Sequence, residues 1–417
     1  MGKGKNKFKI LFFSHSSKLS GGERSLLDIF ENINRSTYDL TLVTPIDGPL
    51  VEVARSLDVR WVQLDVSKEL LKRRRRNIRP FSRIFFRDAA TTIFAAGKLD
   101  RIIRESDIDL VHSNSMKAHF ISAIAAHRSG TPLISHVRDI LEDRNARVVT
   151  DLFLGTFADR IIAVSKAVAA QFKVAAPRVK LVYNGINVGK LSADVTACDQ
   201  RAALESLGLP TAAKTVVNIG QLSRWKGQSI FIRAAKEILK RVPDTHFLIV
   251  GGPIFGETDY AKFLEQLASD LGIKERVHFV GEREGIVEVL TAADLLLHTP
   301  IKPEPFGRVI VEAMAAGVPV VAARCGGIPE IIEDGESGVL VETNNVMAAA
   351  DATCDLLMDE KRARRVSRAG RRRAADFDIG VTVSSVEGLY REHMSHSGTE
   401  YREYTPDYAF STDDYYV

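Results

Sequence analysis

Short runs of apolar and β-branched residues alternate with longer amphipathic stretches along most of the 417 residues. The first part of the chain holds six such runs: Phe8–Phe13, Leu40–Thr44, Arg60–Leu64, Leu110–His112, Leu133–His136 and Arg160–Val164. Each is strand-length and is separated from the next by helix-compatible sequence, which predicts a parallel sheet with crossover helices. The pattern weakens through a polar stretch from Asn187 to Ala213 and then restarts. Thr215–Ile219, His246–Val250, Arg276–Val280, Leu295–His298 and Val318–Ala322 predict a second α/β unit. From Val346 onward the chain reads as helix, with Thr382–Met394 as the last one. The fold class is therefore α/β, with two doubly wound units whose strands open their carboxyl ends into one cleft.

Composition narrows the class without changing this picture. A hydrophobic content of 45% and a charged content of 26% are ordinary for a soluble globular protein. No apolar run reaches the roughly 18 residues of a membrane span, and the opening MGKGKNKFKILFF lacks the long apolar core and cleavage site of a secretory leader. Cys198, Cys325 and Cys354 have no paired spacing, so neither a disulfide framework nor a zinc site is indicated. These features predict a cytoplasmic protein. The net charge of +4 is unevenly spread. Lys68–Arg87 carries nine basic residues against Glu69 alone, which leaves the remainder of the chain net acidic and argues against nucleic acid as a partner.

The most informative stretch runs from Glu304 to Gly338. Pro303, Pro305 and Gly307 resist helix, whereas Val309–Ala315 is mostly apolar, so a helix is expected to start near Phe306 or Gly307. Its first amides lack partners, and with the positive end of the helix dipole they suit an anion. Arg308 and Glu312 lie four apart and share a face. Glu304, on the preceding loop, meets a different part of the same ligand, and an ionised carboxylate suits the paired hydroxyls of a sugar or ribose.

This stretch resembles the donor-site signature of retaining glycosyltransferases of family 4, which have the GT-B fold and use nucleotide sugars. The resemblance extends in order over Phe8 to His393. It implies two Rossmann-like domains facing an interdomain cleft: an acceptor domain over residues 1–188 and a nucleotide-sugar donor domain over 189–378. A helix over 379–396 would cross back to the first domain, ahead of a flexible acidic tail at 397–417. It further implies that Glu304 contacts the transferred sugar, that Glu312 binds the ribose, and that Phe306, Gly307 and Arg308 hold the diphosphate at the helix start.

Other segments extend the resemblance. Gly220–Gly227 follows the first strand of the second unit where a phosphate loop should lie, and Lys226 is the candidate cation for the diphosphate, with Gly220 and Gly227 shaping the turn. The family has an arginine at the position of Gln221, and Arg224 is the substitute. Gly21 and Gly22, after the first strand, match a glycine pair that faces the sugar or its acceptor. His136, in Ser135–Asp139, matches the position that hydrogen-bonds the donor sugar near the reacting carbon. Arg283 matches the loop over the base, and Asn184–Asn187 resembles the interdomain turn.

His15, His112 and His136 lie far apart without zinc spacing. The pairs Asp107/Asp109 and Asp376/Asp378 sit at the wrong end of a strand and before the last helix, so no metal and no cofactor is expected. The function implied is transfer of a sugar from a UDP-, GDP- or ADP-sugar to a hydroxyl acceptor, glycan or lipid-linked, with retention and with His136 and Glu304 as the catalytic residues. The cations and aromatics of Lys68–Arg87 suit an anionic membrane surface and a peripheral location on its inner face. Two other functions remain open at this point: a nucleotide-sugar epimerase of the same fold, and a non-catalytic nucleotide-sugar-binding protein.

Overall fold

A computed structural model describes residues 7–67, 83–253, 258–283 and 285–394. Among the described residues, thirteen strands form two parallel sheets. The first contains β1 (Phe8–Phe13), β2 (Tyr38–Thr44), β3 (Arg60–Gln63), β4 (Leu110–Ser113), β5 (Leu133–Val137), β6 (Arg160–Ala163) and β7 (Val179–Leu181) in the order β3-β2-β1-β4-β5-β6-β7. The second contains β8 (Lys214–Ile219), β9 (Thr245–Val250), β10 (Val277–Gly281), β11 (Leu295–His298), β12 (Val320–Ala323) and β13 (Val339–Val341) in the order β10-β9-β8-β11-β12-β13. Both orders reverse beside their first strand, between β1 and β4 and between β8 and β11. In an open sheet of this kind the crevice beyond such a reversal is where ligands bind.

The strand sequences explain the architecture. β9 reads THFLIV and is buried at every position, as a strand covered by helices on both faces must be. Four elements depart from the sequence reading. The polar stretch after Asn187 contains the helices Val188–Ala197 and Gln200–Ser206, started by the side chains of Asn187 and Asp199 accepting from the amides of Lys190 and Ala202. β7 and β13 are three residues each, too short for a periodic signal.

The last helix, Ile379–Met394, packs on the first sheet. Val383, Val386, Leu389, Tyr390 and Met394 share an apolar core with Phe8, Phe12, Phe30 and Tyr38. The carboxylate of Glu387 accepts from the Asn34 amide at 2.9 Å, and Arg160 pairs with Glu392 at 2.7 Å. Its entry is pinned where the chain passes between the sheets: the Ile379 amide donates to the Ile186 carbonyl at 2.8 Å and the Thr382 hydroxyl to that of Tyr183 at 2.9 Å. Among the described residues no helix is long and apolar enough to cross a membrane. Residues 68–82 and the tail beyond Met394, to which the sequence assigned a membrane patch and an acidic extension, lie outside the described residues.

Gly185 makes this entry possible. A Cβ there would lie 2.5 Å from Thr382 Oγ1, 2.6 Å from Ile379 Cα and 3.0 Å from the Asp378 carbonyl. Gly185→Ala is accordingly expected to lower stability by about 1–3 kcal/mol, the usual penalty for overpacking. A wild-type denaturant midpoint in that variant would show that the crossing has room to spare.

Candidate functional site

The second sheet presents an interlocked pair of turns at its carboxyl edge. After β8 the chain passes through a short 3-10 turn, Arg224–Lys226, and reaches Gly227 at φ +70°. A side chain at Gly227 would place Cβ 1.8 Å from the Thr299 carbonyl oxygen, so only glycine permits the contact with the segment after β11. Thr299 Oγ1 donates to the Gly227 carbonyl at 2.9 Å and the Ile301 amide donates to the Trp225 carbonyl at 2.8 Å. These bonds bring Lys226 Nζ within 2.7 Å of Glu304 Oε2, with side-chain exposures of only 14% and 10%. His298, fully buried at the end of β11, places Nε2 3.5 Å from the same oxygen, at the outer limit of hydrogen bonding. Gly326, at φ +58°, packs on the Glu304 backbone from the far side, and the Gly327 amide donates to the Glu304 carbonyl at 2.8 Å.

Burial alone would raise the Glu304 pKa, but Lys226 and His298 outweigh it and bring it down to about 2. His298 is pushed below the usual imidazole value, chiefly by burial. Glu304 is thus an ionised carboxylate beside a neutral imidazole.

One turn further on, the helix Arg308–Ala316 starts after Gly307. Among the described residues the amides of Gly307 and Arg308 have no hydrogen-bond acceptor. Arg308 Nη1 lies 2.6 Å from Asp28 Oδ2 on the helix Gly21–Asn32, and donates to the Gly185 carbonyl at 3.2 Å. Its other nitrogen is 3.4 Å from Glu312. Burial opposes the Arg308 charge, but Asp28 and Glu312 together hold its pKa above the ordinary value. Burial raises that of Glu312, against the opposing charge of Arg308. Two further contacts join the carboxyl edges of the sheets. The Glu330 carboxylate accepts from the amides of Lys166 and Ala167 at 2.7 and 3.0 Å, and Lys302 pairs with Glu142 at 2.7 Å.

On the first sheet, His136 lies near the carboxyl end of β5, almost wholly buried, with Nδ1 3.2 Å from both His112 Nε2 and Arg138 Nη2 and with Nε2 lacking any partner among the described residues. Arg138 also donates to Asn114 Oδ1 at 2.8 Å, to Ser25 Oγ at 2.9 Å and to Asn184 Oδ1, so it ties β5 to the helix after β1 and to the turn between the sheets. Burial first, then the charge of Arg308, lower its pKa to about 9. Gly21 and Gly22 open that helix, and a Cβ at Gly22 would meet Arg138 Cδ at 3.3 Å. His15 Nδ1 sits 2.6 Å from Ser115 Oγ.

The remaining candidates occupy varied places. Gly220 follows β8, at φ +153°. The guanidinium of Arg224 lies 5.2 Å over the ring of Tyr260 and 5.7 Å over that of Phe263, so the cation of this turn that meets Glu304 is Lys226. The Phe306 ring is in the core against Tyr183 and Phe377, which leaves its backbone as the part available to a ligand. Arg283 is exposed on the loop after β10. Among the described residues no group of three or more His, Cys, Asp or Glu side chains could hold a metal ion. In the Asp pairs, Asp109 accepts from the Lys9 amide at 2.7 Å and Asp378 from the Gly380 amide at 2.8 Å, both structural bonds. Sequence reasoning missed His298, Asp28 and Arg138. For His298 the signal was present, since it lies at the carboxyl end of its strand region as His112 and His136 do.

Comparison with known proteins places the chain in a family. The chain matches the model of glycosyl transferases group 1 over residues 199–373 and that of glycosyltransferase family 4 over residues 19–190. It is 32% identical over 371 residues to the D-inositol 3-phosphate glycosyltransferase of Mycolicibacterium smegmatis, covering 84% of this chain and 80% of that protein. With the enzyme of the same name from Corynebacterium diphtheriae it is 32% identical over 302 residues, 71% of this chain and 68% of the other. The crystal structure of HepE from Anabaena in complex with UDP-glucose superposes with a TM-score of 0.78 at 28% identity, covering 92% of this chain and 99% of HepE. WaaG, a glycosyltransferase involved in lipopolysaccharide biosynthesis, shares the fold at a TM-score of 0.67 and 16% identity, over 91% of this chain and 99% of its own. With two parallel sheets of the GT-B fold, this chain belongs to the glycosyl transferases group 1, in the retaining glycosyltransferase family 4.

Proposed function

We propose that the protein moves a hexosyl group from a UDP-sugar to a hydroxyl acceptor, glycan or lipid-linked, with retention of configuration and without a metal ion. The observation that carries this reading is the buried Lys226–Glu304 pair beside the open helix start at Gly307, with Glu312 one turn along. UDP is favoured over other bases by the likeness to HepE, which was solved with UDP-glucose.

Each group then has a part. Lys226 and the amides at Phe306 and Gly307 meet the diphosphate, where negative charge grows as the bond from the anomeric carbon to the phosphate oxygen breaks. Glu304 orients the sugar through its hydroxyls, and Glu312 accepts from the ribose hydroxyls. His136 donates its Nε2–H to the sugar from the opposite sheet. Gly21, Gly22, Gly220 and Gly227 allow the backbone to approach the ligand, and Arg283 covers the base. The acceptor oxygen bonds to the face from which the phosphate leaves, and its proton passes to the departing diphosphate, so no protein base is needed.

A peripheral location at the inner face of the membrane accompanies this reading. The cationic stretch Lys68–Arg87 leads into the helix Arg83–Glu105, on which Ile93 and Phe94 are 52% and 67% exposed. Cations and apolar side chains together favour an anionic bilayer.

Purified protein supplied with UDP-sugars and polyol, glycan and lipid-linked acceptors should release UDP and do so equally in EDTA; loss of activity in EDTA with recovery in magnesium would overturn the metal-free route. Lys226→Ala should lower kcat by about 10²–10³-fold, the effect of removing one preorganised charge from a leaving group, and unchanged turnover would remove Lys226 from the site. UDP-sugar should raise the melting temperature of the wild type and not of Glu312→Ala. Co-sedimentation should favour anionic over neutral vesicles and weaken when Arg73–Arg76 are neutralised, whereas equal binding throughout would count against the membrane.

A further inference from the structure

Beneath the carboxyl end of the first sheet, a line of hydrogen bonds runs from the last helix to His136. Tyr390 Oη lies 2.6 Å from His112 Nδ1, and His112 Nε2 lies 3.2 Å from His136 Nδ1. All three side chains are buried, and Phe12 packs against the His112 ring at 4.8 Å between centroids.

Donor chemistry sets the direction of this line. A guanidinium carries only N–H donors, and Arg138 Nη2 is 3.2 Å from His136 Nδ1, so that nitrogen is the acceptor and bears no proton. Burial, reinforced by Arg138, keeps both His112 and His136 far below the usual imidazole range, and the rings are neutral. The one ring proton of His136 is therefore on Nε2. His112 Nε2 faces the bare Nδ1 of His136 and must itself carry a proton, since two bare nitrogens would set lone pair against lone pair. His112 Nδ1 is then bare and accepts from the Tyr390 hydroxyl. Every bond points the same way, and the line ends at His136 Nε2–H, which has no partner among the described residues. Bonds aligned in this manner polarise one another, so each strengthens the donor at the end.

We infer that Tyr390, on the helix Ile379–Met394, is a positioning residue for sugar transfer, acting through His112 to hold His136 as the tautomer whose Nε2–H donates to the sugar. The inference rests on the proposed placement of His136 at the donor sugar. Arg138 biases the same tautomer, but it also binds Asn114, Ser25 and Asn184, so its removal would disturb several elements at once. Tyr390→Phe deletes one oxygen and leaves the packing ring in place.

The test uses the full chain with ¹⁵N-labelled histidine. The His136 signal, identified by its loss in His136→Gln, should show the Nε2-protonated tautomer in the wild type and a shift toward the other tautomer in Tyr390→Phe. In that variant kcat should fall about 3- to 10-fold, the equivalent of one buried neutral hydrogen bond, with KM for the UDP-sugar little changed. A proton on Nδ1 of His136 in the wild type would overturn the inference, and so would wild-type kcat in Tyr390→Phe. Should Tyr390→Phe fail to fold, the wild-type tautomer decides the matter. Full turnover by His136→Gln would instead sink the placement of His136 at the sugar, whatever its tautomer, and the inference with it.

Discussion

The buried ion pair between Lys226 and Glu304 is the constraint around which the second sheet's edge is built. Taking either charge out of water alone is costly, and removing one partner of a buried pair typically costs about 3–5 kcal/mol. The two residues are 78 positions apart, so the pair forms only if the turns after β8 and β11 are locked together. Gly227 and Gly326 meet that requirement from opposite sides, each by allowing backbone contact that a side chain would prevent. On the proposed reading the lysine is then poised with its charge directed at the site. A diphosphate arriving there shares a cation already desolvated and oriented, so little reorganisation is left for the moment of reaction.

The same logic extends across the cleft. Arg308 stands at the start of a helix of the second sheet, yet its strongest contact is Asp28 of the first. It also holds the carbonyl of Gly185, in the turn where the chain passes between the sheets, and that turn is in contact with the last helix. Arg138 binds Asn184 in the same turn from the other direction. Glu312, the expected ribose ligand, shares Arg308 with Asp28, so an event at the ribose changes the balance of an ion pair between the sheets. On the proposed reading, occupancy of the donor site is therefore coupled to the contact between the sheets through a shared guanidinium.

Much of this was legible in the sequence, for identifiable reasons. Strands such as β9 are buried on both faces and read as unbroken apolar runs, and proline with glycine before Arg308 marks the helix start. β7 and β13 escaped because three residues at a sheet edge carry no period, and the helices after Asn187 because they are short and bury few or no residues. At the site, Lys226, Glu304 and Glu312 were recognised singly, whereas the pairing of Lys226 with Glu304 depends on turn geometry that composition does not encode. Asp28 had no signal at all: its partner lies 280 positions away, and a helix-face aspartate is usually solvated. Arg224 shows the converse, since its position beside Lys226 suggested phosphate while Tyr260 and Phe263 offered it their rings.

The protonation states complete the argument. Glu304 is held ionised by Lys226 and His298 down to a pKa of about 2, and His136 is held neutral by burial. Neither changes charge across the neutral range, so both are fixed before any substrate arrives. A general acid or base must instead exchange its proton near the working pH. These two are set as an acceptor and a donor of hydrogen bonds, roles that call for one constant charge state. On the proposed reading, Glu304 and His136 thus hold the sugar in place by hydrogen bonds rather than shuttle protons. That matches a transfer in which the acceptor's proton leaves on the diphosphate.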